Sequence, residues 1–276
     1  MRGTLLLALG LLAVSAVVGS VPAAEQGMIA PLFAAHRGGA LLWAENSLLA
    51  FRNALALGAD FLELDVHLTR DGAVVVIHDA TLERTTTGTG PVRERTLAEL
   101  GAVRLKDRGG AVLEEGVPTL DQVVALAAAG KRQILLEIKT DERRRRYPQI
   151  EEKVFAVLDR HRFTPFTVVM AFEAATWRRL RQVRPDARVA ALYSARMLPG
   201  AAVTPELDVL RRAGVGFVGL DQALVNAEVA KQARLAGLTL GVWTVNEREA
   251  IARFIDQGVG VVITDRPDLA RELLGR

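Results

Sequence analysis

The chain contains no cysteine in its 276 residues. That excludes disulfides, thiolate metal sites and a lipid-modified cysteine at a leader cleavage point, so folding rests on the apolar core. Aromatic residues make up only 5%, and no amphipathic stretch is rich enough in them to hold an acyl chain. The one basic run, Arg143 to Arg146, lacks interleaved aromatics and sits beside Asp141 and Glu142. It reads as a solvated helix start, and no nucleic-acid partner is expected. Neither sign of charge prevails, with 35 Lys and Arg against 32 Asp and Glu. Long hydrophobic runs are missing beyond the N-terminus, where Arg2 precedes an almost wholly apolar stretch at 4–18 and Val21-Pro22-Ala23-Ala24 offers small residues. This is the pattern of an export signal over residues 1–24, cut after Ala23 or Ala24, which implies a periplasmic or secreted protein. An uncleaved anchor is the lesser alternative, because a span needs about 20 apolar residues. No stable membrane insertion is expected after cleavage, and nothing in the pattern points to one oligomeric state.

What is present is organised around residues 59–79. Glu63, Asp65 and His67 alternate with Leu64, Val66 and Leu68, the period of a strand with one polar face. Asp71-Gly72 then predicts a two-residue type I′ turn, and residues 73–77 are the antiparallel return. In that register Arg70 faces Ala73 and His78 faces Asp65. Two neighbouring carboxylates on one face repel unless a cation or a proton lies between them.

Upstream, Leu32 to Ala35 is a short strand running into His36-Arg37-Gly38-Gly39, a junction that lets backbone approach a ligand closely. Asn46 or Ser47 can cap a helix that ends at Gly58. Residues 80–118 are too long for an ordinary connection and read as a small insertion packed over one end of the fold, between the second strand and its helix. Strands are expected at 133–139, 166–171, 188–192, 215–219, 238–243 and 259–264, with helices between them and caps at Asn226 and Asn246. About eight strands, each followed by a helix, predict an α/β fold of the (β/α)8 TIM-barrel type over residues 30–276. A doubly wound open sheet is the runner-up. Arg37, Asp65, Glu137, Lys139, Phe172, Trp243 and Asp265 fall at or just past strand ends, the rim where barrel active sites sit.

Three carboxylates, Glu63, Asp65 and Glu137, suit a hard divalent cation, Ca2+ or Mg2+, better than zinc. With a divalent ion they carry a net −1, and Arg37 with Lys139 brings the site to +1, matched to one phosphodiester. The plainer reading of Glu137 and Lys139 is an internal salt bridge. His36 and His78 can supply the proton transfers of phosphodiester hydrolysis, whereas His67 and His161 read as satisfied structural residues.

The ordered set His36-Arg37-Gly38, Glu45-Asn46-Ser47, Glu63-Leu64-Asp65-Val66, Asp71-Gly72, His78-Asp79, Glu137-Ile138-Lys139, Trp243-Thr244-Val245-Asn246 and Thr264-Asp265-Arg266-Pro267 resembles the signature of the glycerophosphodiester phosphodiesterase family. The resemblance covers about residues 32–271. It implies a metal-dependent hydrolase of small-molecule glycerophosphodiesters, yielding glycerol 3-phosphate and an alcohol, with Glu63, Asp65 and Glu137 as metal ligands. It further implies His36 and His78 as general acid and base, and Arg37 and Lys139 as phosphate contacts. Glu45 and Asn46 would be supporting residues, Glu45 orienting Arg37 or His36 or else making a plain loop salt bridge, and Phe172 and Trp243 an apolar wall for the glycerol carbons or else part of the core. Ser47 and Ala171 depart from the family's frequent Thr and Ser. Asp265 before Arg266-Pro267 is most simply a helix cap. Two other activities fit the same barrel: a lysophospholipase D or sphingomyelinase D type enzyme, and a protein that binds phosphodiesters without cleaving them.

Overall fold

The computed structural model describes residues 31–198 and 203–276. The expected export signal at 1–24 lies outside the described residues. Among the described residues nine strands form a single sheet: β1 (Leu32–Ala35), β2 (Phe61–Leu68), β3 (Val74–Val76), β4 (Gln133–Ile138), β5 (Thr167–Ala171), β6 (Arg188–Tyr193), β7 (Phe217–Asp221), β8 (Thr239–Trp243) and β9 (Val261–Thr264). All but β3 are parallel, and β1 pairs with both β2 and β9, so eight strands close into a barrel. The closed (β/α)8 barrel excludes the doubly wound open sheet.

Both faces of the barrel strands are buried. Along β2 the apolar residues Leu62, Leu64, Val66 and Leu68 point outward into the main core under the helices. Phe61 on the other face joins a second core of Ala34, Leu135, Val168, Met170, Ala190, Leu192, Phe217, Val261 and Ile263. This inner core fills the barrel floor, and the polar residues of the same face line the mouth above it. The alternation in the sequence therefore separates the barrel interior from the helix layer, and β2 is buried on both faces.

Capping fixes several helix starts. Ser47 Oγ accepts from Ala50 N and opens α1 (Leu48–Ala56), while Asn46 is used elsewhere. Capping boxes at Thr96 and Glu99 and at Thr119 and Gln122 open α2 (Leu97–Leu100) and α3 (Leu120–Ala129). The remaining helices are α4 (Ile150–Arg160), α5 (Ala174–Val183), α6 (Thr204–Arg212), α7 (Ala227–Leu235), α8 (Arg248–Asp256) and α9 (Pro267–Leu273). Asn226 caps α7 as expected. Asn246 does not cap α8, because its amide is engaged by Asp265. None of these helices is long and apolar enough to cross a membrane, among the described residues.

The β2–β3 hairpin differs from its expected form. Thr69 N donates to Ala73 O (3.0 Å) and Gly72 N to Thr69 O (3.0 Å), so the loop has three residues, Arg70, Asp71 and Gly72. Gly72 takes φ +80°, the left-handed position that three-residue hairpins give to glycine. The Thr69 hydroxyl tightens the loop, donating to Asp71 Oδ1 (2.6 Å) and accepting from Ala73 N (2.8 Å). The register slips by one, placing Val66 opposite Val76 and Ile77 N on Asp65 O (3.0 Å). His78 is thus not paired across from Asp65; it reaches the site where the chain leaves the strand. Beyond it, residues 80–118 fold over this end of the sheet on a small core of Leu82, Val92, Leu100, Leu105 and Val117, with Val75 and Ile77 beneath.

Candidate active site

At the C-terminal ends of β2 and β4, parallel register sets Asp65 beside Glu137. Glu63 stands two residues below Asp65 on the same inward face. The three carboxylates are buried, and each offers an oxygen within 4.8 Å of the others. Burial, reinforced by the charges of Asp65 and Glu137, pushes the Glu63 carboxyl up to about 7 even with His36 beside it. Asp65 is also buried, yet the charges of Lys139, His78 and Arg37 hold it well below the usual carboxylate range. Lys139, just past β4, puts Nζ 2.7 Å from Glu137 Oε1 and 3.5 Å from Asp65 Oδ1. Burial works against its charge, but Glu137 and Asp65 outweigh it and raise the ammonium above its ordinary value.

His36 and Arg37 lie on a tight turn after β1. Arg37 has φ 51°, Gly38 has φ +84°, and a Cβ on Gly38 would come 2.7 Å from Ala50 Cβ. Only glycine fits there, and the turn aims Arg37 N at Glu63 Oε2 (2.9 Å). The Arg37 guanidinium donates from Nη1 to Glu45 Oε1 (3.1 Å) and lies with Nε 3.4 Å from Asp65 Oδ2. Of the two roles open to Glu45, orienting Arg37 is the one the contacts favour. Asn46 Nδ2 donates to Asp65 Oδ2 (3.0 Å), so this residue holds a candidate ligand and leaves helix capping to Ser47.

Each imidazole of the pair has a carboxylate behind it. His36 Nδ1 meets Asp265 Oδ1 at 2.6 Å, with Nε2 3.9 Å from Glu63 Oε2. Burial opposes the charge, but Glu63 and the Asp265 hydrogen bond hold the His36 imidazole above its usual value. His78 Nδ1 meets Asp79 Oδ1 at 2.7 Å. Asp265 is therefore not the helix cap expected for it: α9 has no side-chain cap, and Asp265 Oδ2 instead accepts from Asn246 Nδ2 (2.8 Å). The signal was available, since Asp265 follows the last strand and the last strand must lie beside the first. Arg84 gave no such signal: Asp79 is only five residues away, but its second partner, Glu45, lies 39 residues upstream on another loop.

His67 makes two hydrogen bonds, Nδ1 with Tyr147 Oη (2.8 Å) and Nε2 with the His78 carbonyl (3.0 Å). Burial pushes its imidazole down to about 4, so it stays neutral and structural. His161 bonds Asp121 on the helix layer, away from the mouth.

A cavity of about 100 Å³ opens at the mouth, lined by His36, Arg37, Glu63, His78, Glu137 and Lys139 on one side. Met170, Phe172, Leu192, Trp243 and Ile263 form the other. Phe172 and Trp243 stack edge to face with centroids 5.5 Å apart, and Lys139 Nζ lies 6.0 Å from the Phe172 ring. A wider groove of about 490 Å³ continues from His36 and Arg37 past Trp43, Glu45 and Arg84 to Lys106. All eleven residues proposed for the site thus gather at one end of the barrel.

Residues 36–269 match the model of the glycerophosphoryl diester phosphodiesterase family. A glycerophosphodiester phosphodiesterase of Caldanaerobacter subterraneus is 33% identical over 238 residues, covering 86% of this chain and 95% of the relative. One of Bacillus subtilis is 32% identical, covering 95% and 94%. A crystal structure from Agrobacterium tumefaciens, described as a glycerophosphoryl diester phosphodiesterase, superposes with a TM-score of 0.81 at 28% identity and covers 89% of this chain and 97% of its own. With its barrel, acidic cluster and paired imidazoles at one mouth, the chain belongs to the glycerophosphoryl diester phosphodiesterase family.

Proposed function

We propose that the protein hydrolyses glycerophosphodiesters to glycerol 3-phosphate and an alcohol with Ca2+ or Mg2+ held by Glu63, Asp65 and Glu137. The observation that carries this reading is the cluster of three buried carboxylates gathered with two imidazoles at one small cavity. The donor set fits a hard cation: all ligands are oxygens, and burial, with the charges of Asp65 and Glu137 behind it, pushes the Glu63 carboxyl up to about 7, a cost to its charged form that a cation would offset. When bound, such an ion supplies Lewis-acid stabilisation of the phosphoryl oxygens.

The chain's own groups divide the remaining work. Arg37 and Lys139 flank the carboxylates and balance the charge of the phosphodiester. His36 and His78 both line the cavity and act as general base and general acid, each fixed by the carboxylate on its Nδ1, which leaves Nε2 free to move a proton. Phe172 and Trp243 form the apolar wall against the glycerol carbons, and the wider groove receives the departing alcohol. Export of the mature chain is part of the proposal, supported by the apolar stretch at 4–18 and the small residues at 21–24.

The deciding experiment is release of glycerol 3-phosphate from glycerophosphocholine by protein lacking residues 1–24, first in chelator and then with Ca2+ or Mg2+. Cation-dependent release is expected. Full activity in chelator would overturn the metal role, and tight diester binding without product would overturn hydrolysis.

A further inference from the structure

Arg84 lies in the segment between β3 and α3 and fills two carboxylates at once. Its Nε and Nη2 donate to Asp79 Oδ2 (2.6 Å) and Oδ1 (2.9 Å). Nη1 and Nη2 donate to Glu45 Oε2 (2.7 Å) and Oε1 (2.9 Å). Both acceptors are themselves committed to the site, Asp79 Oδ1 to His78 Nδ1 at 2.7 Å and Glu45 Oε1 to Arg37 Nη1 at 3.1 Å. One guanidinium therefore joins the carboxylate behind the imidazole to the carboxylate behind the phosphate-side arginine.

Four of the five N–H donors of a guanidinium are used in this way. Arg84 has little left for a substrate, although it borders the wider groove. Its side chain is 48% exposed, and ion pairs at such exposure add little to stability. What the arrangement does supply is direction. Without Arg84, Asp79 and Glu45 would be two like charges free to turn away from His78 and Arg37. Lysine cannot replace it, since a single ammonium does not span two planar forks.

Resting on the reading of this mouth as the hydrolytic site, we infer that Arg84 is a positioning residue that acts through Asp79 and Glu45 to set His78 and Arg37. By this contact the segment over the barrel completes the site on the barrel strands.

The test is kcat and KM on glycerophosphocholine at saturating Ca2+ or Mg2+ for the wild-type chain, R84A, R84K, D79N, E45Q and the double variants R84A/D79N and R84A/E45Q. In R84A the expected loss is about 10- to 100-fold in kcat, the size of effect that follows removal of an outer partner of a site residue, and any rise in KM, passed through Glu45 to Arg37, should disappear in the E45Q background. R84K should recover only part of that loss, and added guanidinium ion should restore R84A. In the D79N background, the further loss caused by R84A should be well below its loss in the wild type, because both changes break one chain of contacts. A rise in KM with kcat unchanged, undiminished in the E45Q background, would make Arg84 a substrate contact and overturn the inference. Fully multiplicative losses in both double variants would overturn it too, as would wild-type kcat in R84A. Should R84A not fold, R84K and R84Q carry the same comparison. The wild-type chain separates this outcome from the underlying reading: no turnover by the wild type refutes the assignment of the site, whereas equal turnover by wild type and R84A refutes only the role of Arg84.

Discussion

Asp265 and Asp79 stand in the same relation to His36 and His78, each carboxylate taking Nδ1 of its imidazole. Replacing His36 or His78 by Ala should lower kcat by about 10²- to 10⁴-fold, the usual contribution of a general acid or base. Cation-induced thermal stabilisation should persist in both variants, since neither imidazole is assigned to the metal. The Asp265 carboxylate also makes an acid-stability prediction. Burial tends to raise it, but the hydrogen bond and charge of His36, with Asn246, hold it below the ordinary aspartate value. A depressed folded-state pKa contributes stability that is complete above the unfolded value, about 3.8, and is lost as pH falls through the folded one. Urea midpoints measured from pH 5 down to 2 should therefore fall more steeply in the wild type than in D265N, and parallel curves would refute the assignment. That Glu63, Asp65, Glu137 and His36 lie at the barrel mouth was legible in the sequence because they sit on or beside strands whose period fixes direction, whereas His78 reaches it in a register one residue off the one expected. Asp265 was misread as a cap, since a Pro two residues later is locally the stronger signal, and only barrel closure brings His36 to it.

The elements repeat this contrast between local and distant causes. Thr119-Leu120-Asp121-Gln122 and Thr96-Leu97-Ala98-Glu99 announce their helices within four residues, and the structure has both capping boxes. The hairpin after β2 was legible as a hairpin but not in register: Asp71-Gly72 favours a two-residue turn, while the Thr69 hydroxyl closes a three-residue one. The turn after β1 yields a sharper prediction. Gly38→Ala meets Ala50 Cβ at 2.7 Å and Ala50 C at 3.1 Å, and it must also hold φ +84°. Strain of this kind costs about 1–3 kcal/mol, to be read from the urea midpoint. Because the same turn carries His36 and Arg37, kcat should fall along with stability. A variant of unchanged midpoint and kcat would show that the turn relaxes freely.

At the scale of the molecule, the alternation of strand and helix read from the sequence corresponds to a closed barrel with its polar residues at one end. The pattern could not by itself distinguish a barrel from an open sheet, since both repeat β and α, and the decision rests on the β1–β9 pairing. Removing the cation should abolish activity and lower the unfolding midpoint together. A ligand at 100 times its Kd stabilises by about 2.7 kcal/mol. Titration of Ca2+ or Mg2+ into chelated protein should therefore raise the midpoint and restore turnover over the same concentration range, and activity returning without stabilisation would place the cation elsewhere.

The seam between the first and last strands has a consequence for how the protein comes to be active. Leu32 pairs with Val261 and Ala35 with Thr264, joining residues almost the whole chain apart, and contacts of such separation form slowly. His36 and Asp265 lie immediately beyond that seam, so their 2.6 Å contact exists only in a ring that has shut. A newly made chain could thus hold most of its helices and the whole acidic cluster while remaining catalytically silent. Turnover would serve as a clock for the last step of folding: in refolding from urea it should lag the helical circular dichroism signal, and their coincidence would mean that the ring closes early.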